Sequence, residues 1–370
     1  MSEIKVNSIK GVGASAAAIT VNNTDGTCTA NITNNLSNKN LILNGAFLIS
    51  QRGTSSTSTG YQTVDRFRGD HGGTDEAPTY AQVDVASGTT PYTLGFRKAF
   101  KITNGNQTSG ADAGDYVGID SKLEAQDIAN SGWNYTSNTS YVTLSFWVKS
   151  SVAQNFYGYL LTNDGTAQNY PFETGSLSAD TWTKVTKTIP GNSNLTFNND
   201  NGNGLQFQLW SFLGTTYTGT VTLNQWAAFA SGTRTPNNTS TWYTTNDATF
   251  EITGIQLEVG SVATDFEHRS LGQELALCQR YYYKDADISH RIADGQVACN
   301  NSGAYVLPVG GVHPTTMRAN PTVTLSSVVY HGCSFNSSNA NTLAWGMRVS
   351  TDNSTSFRIT SGQVELSAEL

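Results

Sequence analysis

Residues 141–150 read YVTLSFWVKS, and Val142, Leu144, Phe146 and Val148 occupy every second position. A period of two places four apolar side chains on one face of an extended strand. Neighbouring segments repeat the theme: NFYGYLLTN (155–163), GLQFQLWSF (204–212), GTVTLNQWAAF (219–229) and ATFEITGIQLEV (248–259). Turn residues punctuate them, at Asp164-Gly165, at Pro190-Gly191-Asn192 and through the Asn/Asp/Gly run 199–204. No helical pattern intervenes. Such spacing predicts an all-β fold, a jelly-roll β-sandwich and not a parallel α/β sheet. In TWTKVTKTI (181–189), Trp182, Val185 and Ile189 do not alternate cleanly, which predicts a bulge or a change of register.

Composition agrees with strands and turns. Charged residues make up 13% of the 370-residue chain, against about 25% in ordinary soluble domains. Ser, Thr, Asn and Gln fill the difference. With 10% aromatics and a net charge of −7 the chain is not of the disordered class. The acidic balance excludes a duplex nucleic-acid binder, which needs a basic stripe. A neutral surface rich in rings and amides suits sugars, whose C–H faces stack on aromatics and whose hydroxyls pair with amides. Cys28, Cys278, Cys299 and Cys333 lie far apart without a CxxC, so neither a disulfide framework nor a zinc site is expected. The opening MSEIKVNSIK carries no long apolar run, and no 18-residue apolar stretch occurs, so neither a signal peptide nor membrane insertion is expected. Sequons such as those at Asn106, Asn194 and Asn353 are read as chance in so Asn- and Thr-rich a chain.

Four units follow. Residues 1–40 form a β arm, with Ile4, Val6 and Ile9 in one short run and AAITVNN (17–23) and GTCTANI (26–32) joined by a turn at Asn23–Gly26. So short and polar a segment cannot bury a core alone, so it calls for another copy of the chain or another protein. Residues 41–268 are the jelly roll, 269–285 a linking helix and 286–370 a small C-terminal β domain. In the helix, Ser270 with Gln273 fits a capping box. Leu271, Leu275, Cys278 and Tyr282 repeat at intervals of 4, 3 and 4 residues, a seam two heptads long. That seam is expected at an oligomer interface, with packing onto its own domain as the alternative.

The chemistry of catalysis is sparse. No nucleophile elbow, phosphate loop or dinucleotide fingerprint occurs, and His71, His268, His290, His313 and His331 stand outside any metal spacing. The expectation is a protein without enzymatic activity, cofactor or metal. Asp65, Asp70, Glu76, Glu124 and Asp127 are the carboxylates from which a glycan-cleaving pair would have to come. Arg68-Gly69-Asp70 is read as incidental. Trp133 and Tyr135, like Trp242 and Tyr243, sit in Ser/Thr/Asn-rich stretches and are expected at the surface in contact with glycan or another subunit, while the strand tryptophans are expected in the core, with an outward position for Trp147 as the alternative its alternation offers.

Three stretches carry a family resemblance. Asn40-Leu41-Ile42-Leu43-Asn44-Gly45-Ala46-Phe47, Gln51-Arg52-Gly53 and Val64-Asp65-Arg66-Phe67 resemble the opening of a jelly-roll module in virion fibre proteins of tailed phages, notably marine and cyanobacterial ones. Phe250–Gly260, Thr264–Ser270 and Leu275–Tyr282 look like its close, so the resemblance brackets residues 40–285, and MSEIKVNSIK also looks like the start of such fibres. It implies a homotrimer on the tail or capsid exterior, joined to other virion proteins through residues 1–40 and binding host surface polysaccharide. The implied role is a tail fibre or adhesin, with a head fibre or capsid decoration as the alternative. The module is also similar in plan to carbohydrate-binding jelly rolls that close on an Asp-Asp-Val strand. Here that strand reads Thr253-Gly254-Ile255, so no calcium is expected.

Overall fold

The structure, a computed structural model, describes residues 8–10, 12, 18–21, 24, 28–30, 38–288, 306–331, 333–351 and 358–370. Ile4, Val6, Asn23, Asp25, Gly26, His290, Cys299 and Asn353 lie outside the described residues. A small antiparallel sheet of β1 (Ser8–Ile9), β2 (Ile19–Val21) and β3 (Cys28–Ala30) comes first. The sandwich follows in chain order: β4 (Ser55–Ser56), β5 (Arg68–Gly72), β6 (Thr79–Asp84), β7 (Lys98–Thr103), β8 (Tyr116–Glu124), β9 (Tyr141–Ser150), β10 (Asn155–Thr162), β11 (Gln168–Ser176), β12 (Thr183–Pro190), β13 (Asn203–Leu213), β14 (Ala227–Ala228) and β15 (Thr249–Val259). They form two six-stranded sheets, a front sheet in the order β14-β11-β10-β13-β8-β5 and a back sheet in the order β12-β9-β15-β7-β6-β4. Every pairing is antiparallel and the chain repeatedly switches sheets. The protein is therefore all-β, a jelly-roll sandwich, as the alternation predicts.

The core lies between the sheets. Val142, Leu144, Phe146 and Val148 of β9 all face it. Phe146 meets Phe207 of β13 at 6.1 Å and Phe172 of β11 at 6.3 Å between ring centroids. β12 runs beside β9 in unbroken register from Thr183↔Val148 to Pro190↔Tyr141, so the bulge expected there is absent. Val185 and Ile189 lie four residues apart on one face, and Trp182 precedes the strand. The irregularities fall elsewhere, between Asn155 and Tyr157 on β10, at Asn203/Leu205 and Trp210/Phe212 on β13, and between Thr253 and Gln256 on β15.

The two motifs of the resemblance are pieces of one closure. Asn44 adopts φ +57° and its side chain holds the backbone of Ile49 and Asp65. Gly45 lies against β15, where a Cβ would come within 2.0 Å of the Ile255 carbonyl oxygen. Asn40 donates to Ile255 O and accepts from Leu257 N, both at 3.0 Å. Entry and exit of the sandwich are thus laced together, with Glu274 of the following helix accepting from Asn44 N at 2.5 Å.

Four short helices decorate the sheets: α1 (Thr90–Thr93), α2 (Ala125–Ala129), α3 (Thr241–Thr244) and α4 (Leu271–Gln279). α4 begins with the expected capping box, Ser270 to Gln273. It ends three residues before Tyr282, which opens a strand instead, β16 (Tyr282–Asp285). β17 (Val306–Val312), β18 (Thr322–His331), β19 (Cys333–Ala340), β20 (Ala344–Thr351) and β21 (Arg358–Ser367) complete the described chain. They make two three-stranded sheets, β16-β21-β18 and β17-β20-β19, around Trp345, Met347, Val364 and Leu366. Polar contacts bind this unit to the sandwich. Glu369 pairs with the buried Arg66 and with Arg52 at 3.1 Å, Lys122 donates to Leu370 O at 2.8 Å, and Arg318 donates to Asn201 O at 2.7 Å. Arg66 also lies 3.4 Å over the Tyr281 ring and Arg52 lies 3.5 Å over Tyr282.

The seam expected at an oligomer interface divides. Cys278 and Tyr282 are buried within the chain, Leu275 is half-buried, and Leu271 is 63% exposed. Two of the four positions therefore serve this chain's own packing, because the chain turns into a strand just where the second heptad would finish. No helix among the described residues is long and apolar enough to cross a membrane.

Candidate functional site

The paired aromatics expected at the surface turn inward. Trp242 and Tyr243 are 0% and 1% exposed. They ride on the single turn of α3, where Gln154 accepts from Trp242 N at 2.9 Å and Thr249 O accepts from its indole at 3.1 Å. Tyr243 stacks on Phe212 at 4.5 Å. Trp133 is 3% exposed and donates to Ser140 O at 3.3 Å, while the half-buried Tyr135 meets Phe197 edge-on at 5.0 Å. Rings so enclosed offer no face to a sugar. Trp133, Trp242 and Tyr243 are core residues, and the expectation of glycan contact there is corrected. The polar flanks are turns that close over the core's ends.

The outer face of the front sheet has another character. On β13, Leu205, Phe207 and Leu209 point to the core, which directs Gln206, Gln208 and Trp210 outward. Register then sets their neighbours. Gln206 pairs with Lys122 on β8 and Leu161 on β10, and Gln208 pairs with Asp120 and Tyr159. Trp210 pairs with Gly118, where a Cβ would come 2.4 Å from the indole, and with Tyr157. Arg68 and Asp70 of β5 extend the rows. Trp210 and Tyr159 with Leu161 and Leu213 form a second small apolar cluster, walled by Tyr217 and Phe229 from the 214–240 connection. Arg234 lies 4.6 Å over Tyr217. The floor of this face is recessed, with Gln206 and Gln208 only 6% and 7% exposed, while Arg68, Asp70, Lys122 and Tyr157 form a half-buried rim.

Hydrogen-bond capacity remains open on that floor. Neither the Gln206 nor the Gln208 amide is paired with another described residue. Asp120 accepts from Arg68 Nε at 2.6 Å through one carboxylate oxygen, and its other oxygen is buried without a partner among the described residues. Burial pushes the Asp120 carboxyl upward against the Arg68 guanidinium, and burial also raises Asp70 and lowers Lys122. Amides normally find partners when buried, so unpaired amides facing outward beside rings and an acid–base pair are equipped for a polyhydroxylated ligand. The pattern GLQFQLW held this signal, since amides at alternate positions of an apolar strand must share its outer face.

The other carboxylates considered for glycan cleavage are held apart in different structures. Asp65 is buried under Gln51 and Arg52, and Glu124 is clamped by Arg280 and Tyr281. Glu76 accepts from Asn106 N at 2.7 Å at the surface, and Asp127 lies on α2. Asp70 joins Asp120 on the same Arg68. No group of His, Cys, Asp and Glu that could hold a metal occurs among the described residues.

By strand order and layering, the chain is a jelly-roll β-sandwich protein. No family model and no curated protein matches its sequence. Solved structures similar to part of it include an enzymatically active domain of bacteriophage CBA120 tailspike protein 4, at 8% identity and a TM-score of 0.31, over 60% of this chain and 21% of that one. A CBM4 structure is similar at 14% identity and a TM-score of 0.29, over 58% of this chain and 97% of that one. The N-terminal cellulose-binding domain of Cellulomonas fimi β-1,4-glucanase C gives 12% identity and a TM-score of 0.28, over 58% and 99%. Likenesses this weak carry no argument about a ligand, which rests on the residues themselves.

Proposed function

We propose that this protein is a non-catalytic glycan-binding adhesin of the virion-fibre type, and that polysaccharide lies along the outer face of the front sheet. The observation that carries the binding role is the pair of recessed, unpaired amides of Gln206 and Gln208, set between the Asp120–Arg68 pair and the half-buried Tyr157 ring. The amides, with Arg68 and Asp70 on the rim, supply directional bonds to hydroxyls, and the Tyr157 ring supplies the apolar part of the contact. Virion attachment through residues 1–40, homotrimeric assembly and a place on the particle exterior rest on the sequence resemblance at Asn40–Phe47 and Phe250–Gly260. Trimerisation would multiply weak contacts by avidity.

The test is titration calorimetry of the purified protein against bacterial envelope polysaccharides. A Gln206→Ala/Gln208→Ala variant with native circular dichroism should bind about tenfold to a hundredfold more weakly, the loss of two hydrogen bonds. Unchanged affinity in that variant, or release of reducing ends from the polysaccharide by the wild type, would refute the reading.

A further inference from the structure

On the opposite side of the sandwich, the back sheet opens a cleft of about 300 Å³. Its origin is local. On β9, Ser145 and Trp147 face away from the core, and Trp147 is in register with Lys184 of β12 and Thr253 of β15. One residue further, β15 leaves register at Gly254, which adopts φ +66°. Phe96 fills the space against this glycine, where a Cβ would come 2.6 Å from the ring. The chain leaving β15 then folds back, and Phe266 meets Phe96 edge-on at 4.9 Å. His268 closes the rim, its Nε2 2.9 Å from Leu94 O.

The lining combines apolar walls with open polar groups. Phe96 is buried, while Trp147 and Phe266 are half-buried and turn part of their surface to the cleft. Four residues with polar side-chain groups are among those that line it: Ser145, Trp147, Lys184 and Asp265. None of these four side-chain groups pairs with another described residue. Ser145 is only 4% exposed, so its free hydroxyl is a built feature of the floor and not a surface accident.

We infer that this cleft is a second ligand site, and that it takes a single neutral hexopyranose ring. About 300 Å³ lies at the small end of ligand pockets and matches one sugar ring better than an extended oligosaccharide. Aromatic walls suit the C–H face of a pyranose, and one cation with one anion, Lys184 and Asp265, leaves no net charge to select a charged sugar. Donors and acceptors of both kinds match hydroxyls, which are both. The site uses none of the residues of the front face and does not depend on glycan binding there. A protein with both would touch sugars on two opposite sides.

Saturation-transfer NMR with free glucose, galactose, mannose and N-acetylglucosamine, and with glucuronate as the charged comparison, tests this. At least one neutral sugar should receive transfer and glucuronate should not. Asp265→Ala and Lys184→Ala change exposed side chains, and each should weaken that binding at least fivefold. Phe266→Ala should abolish it. Retention of the signal in Gln206→Ala/Gln208→Ala, with loss in Asp265→Ala, assigns the ring to the cleft. The reverse pattern, preference for glucuronate, or no transfer from any of the neutral sugars to the wild type overturns the inference.

Discussion

Asp65 stands in the Val64-Asp65-Arg66-Phe67 motif, and its carboxylate accepts from the Gln51 backbone at 3.0 Å and lies 3.8 Å from Arg52. Burial outweighs these partners and pushes its pKa from 3.8 up to about 6. A carboxyl raised in this way binds its proton more tightly in the folded chain than in the unfolded one. Its stabilising contribution is complete below about pH 3.8 and is lost as pH rises through about 6. Urea unfolding of wild type and Asp65→Asn across pH 3.5–7 should show the wild type losing up to about 3 kcal/mol relative to the variant over that window. A constant difference would mean that Asp65 titrates normally. At this scale the sequence was legible where a residue has one structural reason to exist. Asn44 and Gly45 belong to the opening motif because one takes φ +57° and the other lies against a carbonyl of β15. Gln206 and Gln208 were legible in principle from alternation, but an amide in a chain so rich in amides draws no notice until register shows what stands beside it.

Among the elements, long strands announced themselves and single turns did not. β9 follows its apolar period, β15 does so on either side of its break at Gly254, and α4 starts at its capping box. The residues Ser-Thr-Trp-Tyr-Thr carry no period, so α3 was invisible as a helix and its rings looked like surface. The structure makes α3 a plug for the end of the core between Gln154, Thr249 and Phe212. Trp242→Ala should therefore cost about 3–5 kcal/mol in chemical denaturation, the figure for a fully buried large aromatic. A change under 1 kcal/mol, as for an exposed ring, would restore the surface reading. The end of α4 misled for a related reason. A 4-3-4 spacing is the same whether a chain continues as helix or not, and only the pairing of Tyr282 with Ser367 reveals the strand.

At the scale of the whole molecule, the C-terminal unit meets the sandwich through charges that sequence could not have paired, since Arg66 and Glu369 lie at opposite ends of the chain. Arg66 is 2% exposed, and its guanidinium is shared between Glu369, the Lys122 carbonyl and the face of Tyr281. Such a pair is weak evidence of net stabilisation, because desolvating both ions offsets their attraction. Breaking it is another matter, since it strands one charge in the interior. Glu369→Ala should thus destabilise the chain by about 3–5 kcal/mol. Arg66→Met together with Glu369→Leu should recover most of that loss, since Arg66 is then not stranded and Arg52 keeps Asp65 at 3.8 Å. Urea unfolding followed by tryptophan fluorescence reads both, because Trp345 reports the C-terminal unit and Trp210 and Trp242 the sandwich. If the two units unfold as one in the wild type, Glu369→Ala should also separate them into two transitions. A single transition at unchanged midpoint in Glu369→Ala would show that the charges are incidental and that the strand β16, carried directly from α4 into the second unit, holds the molecule together by itself.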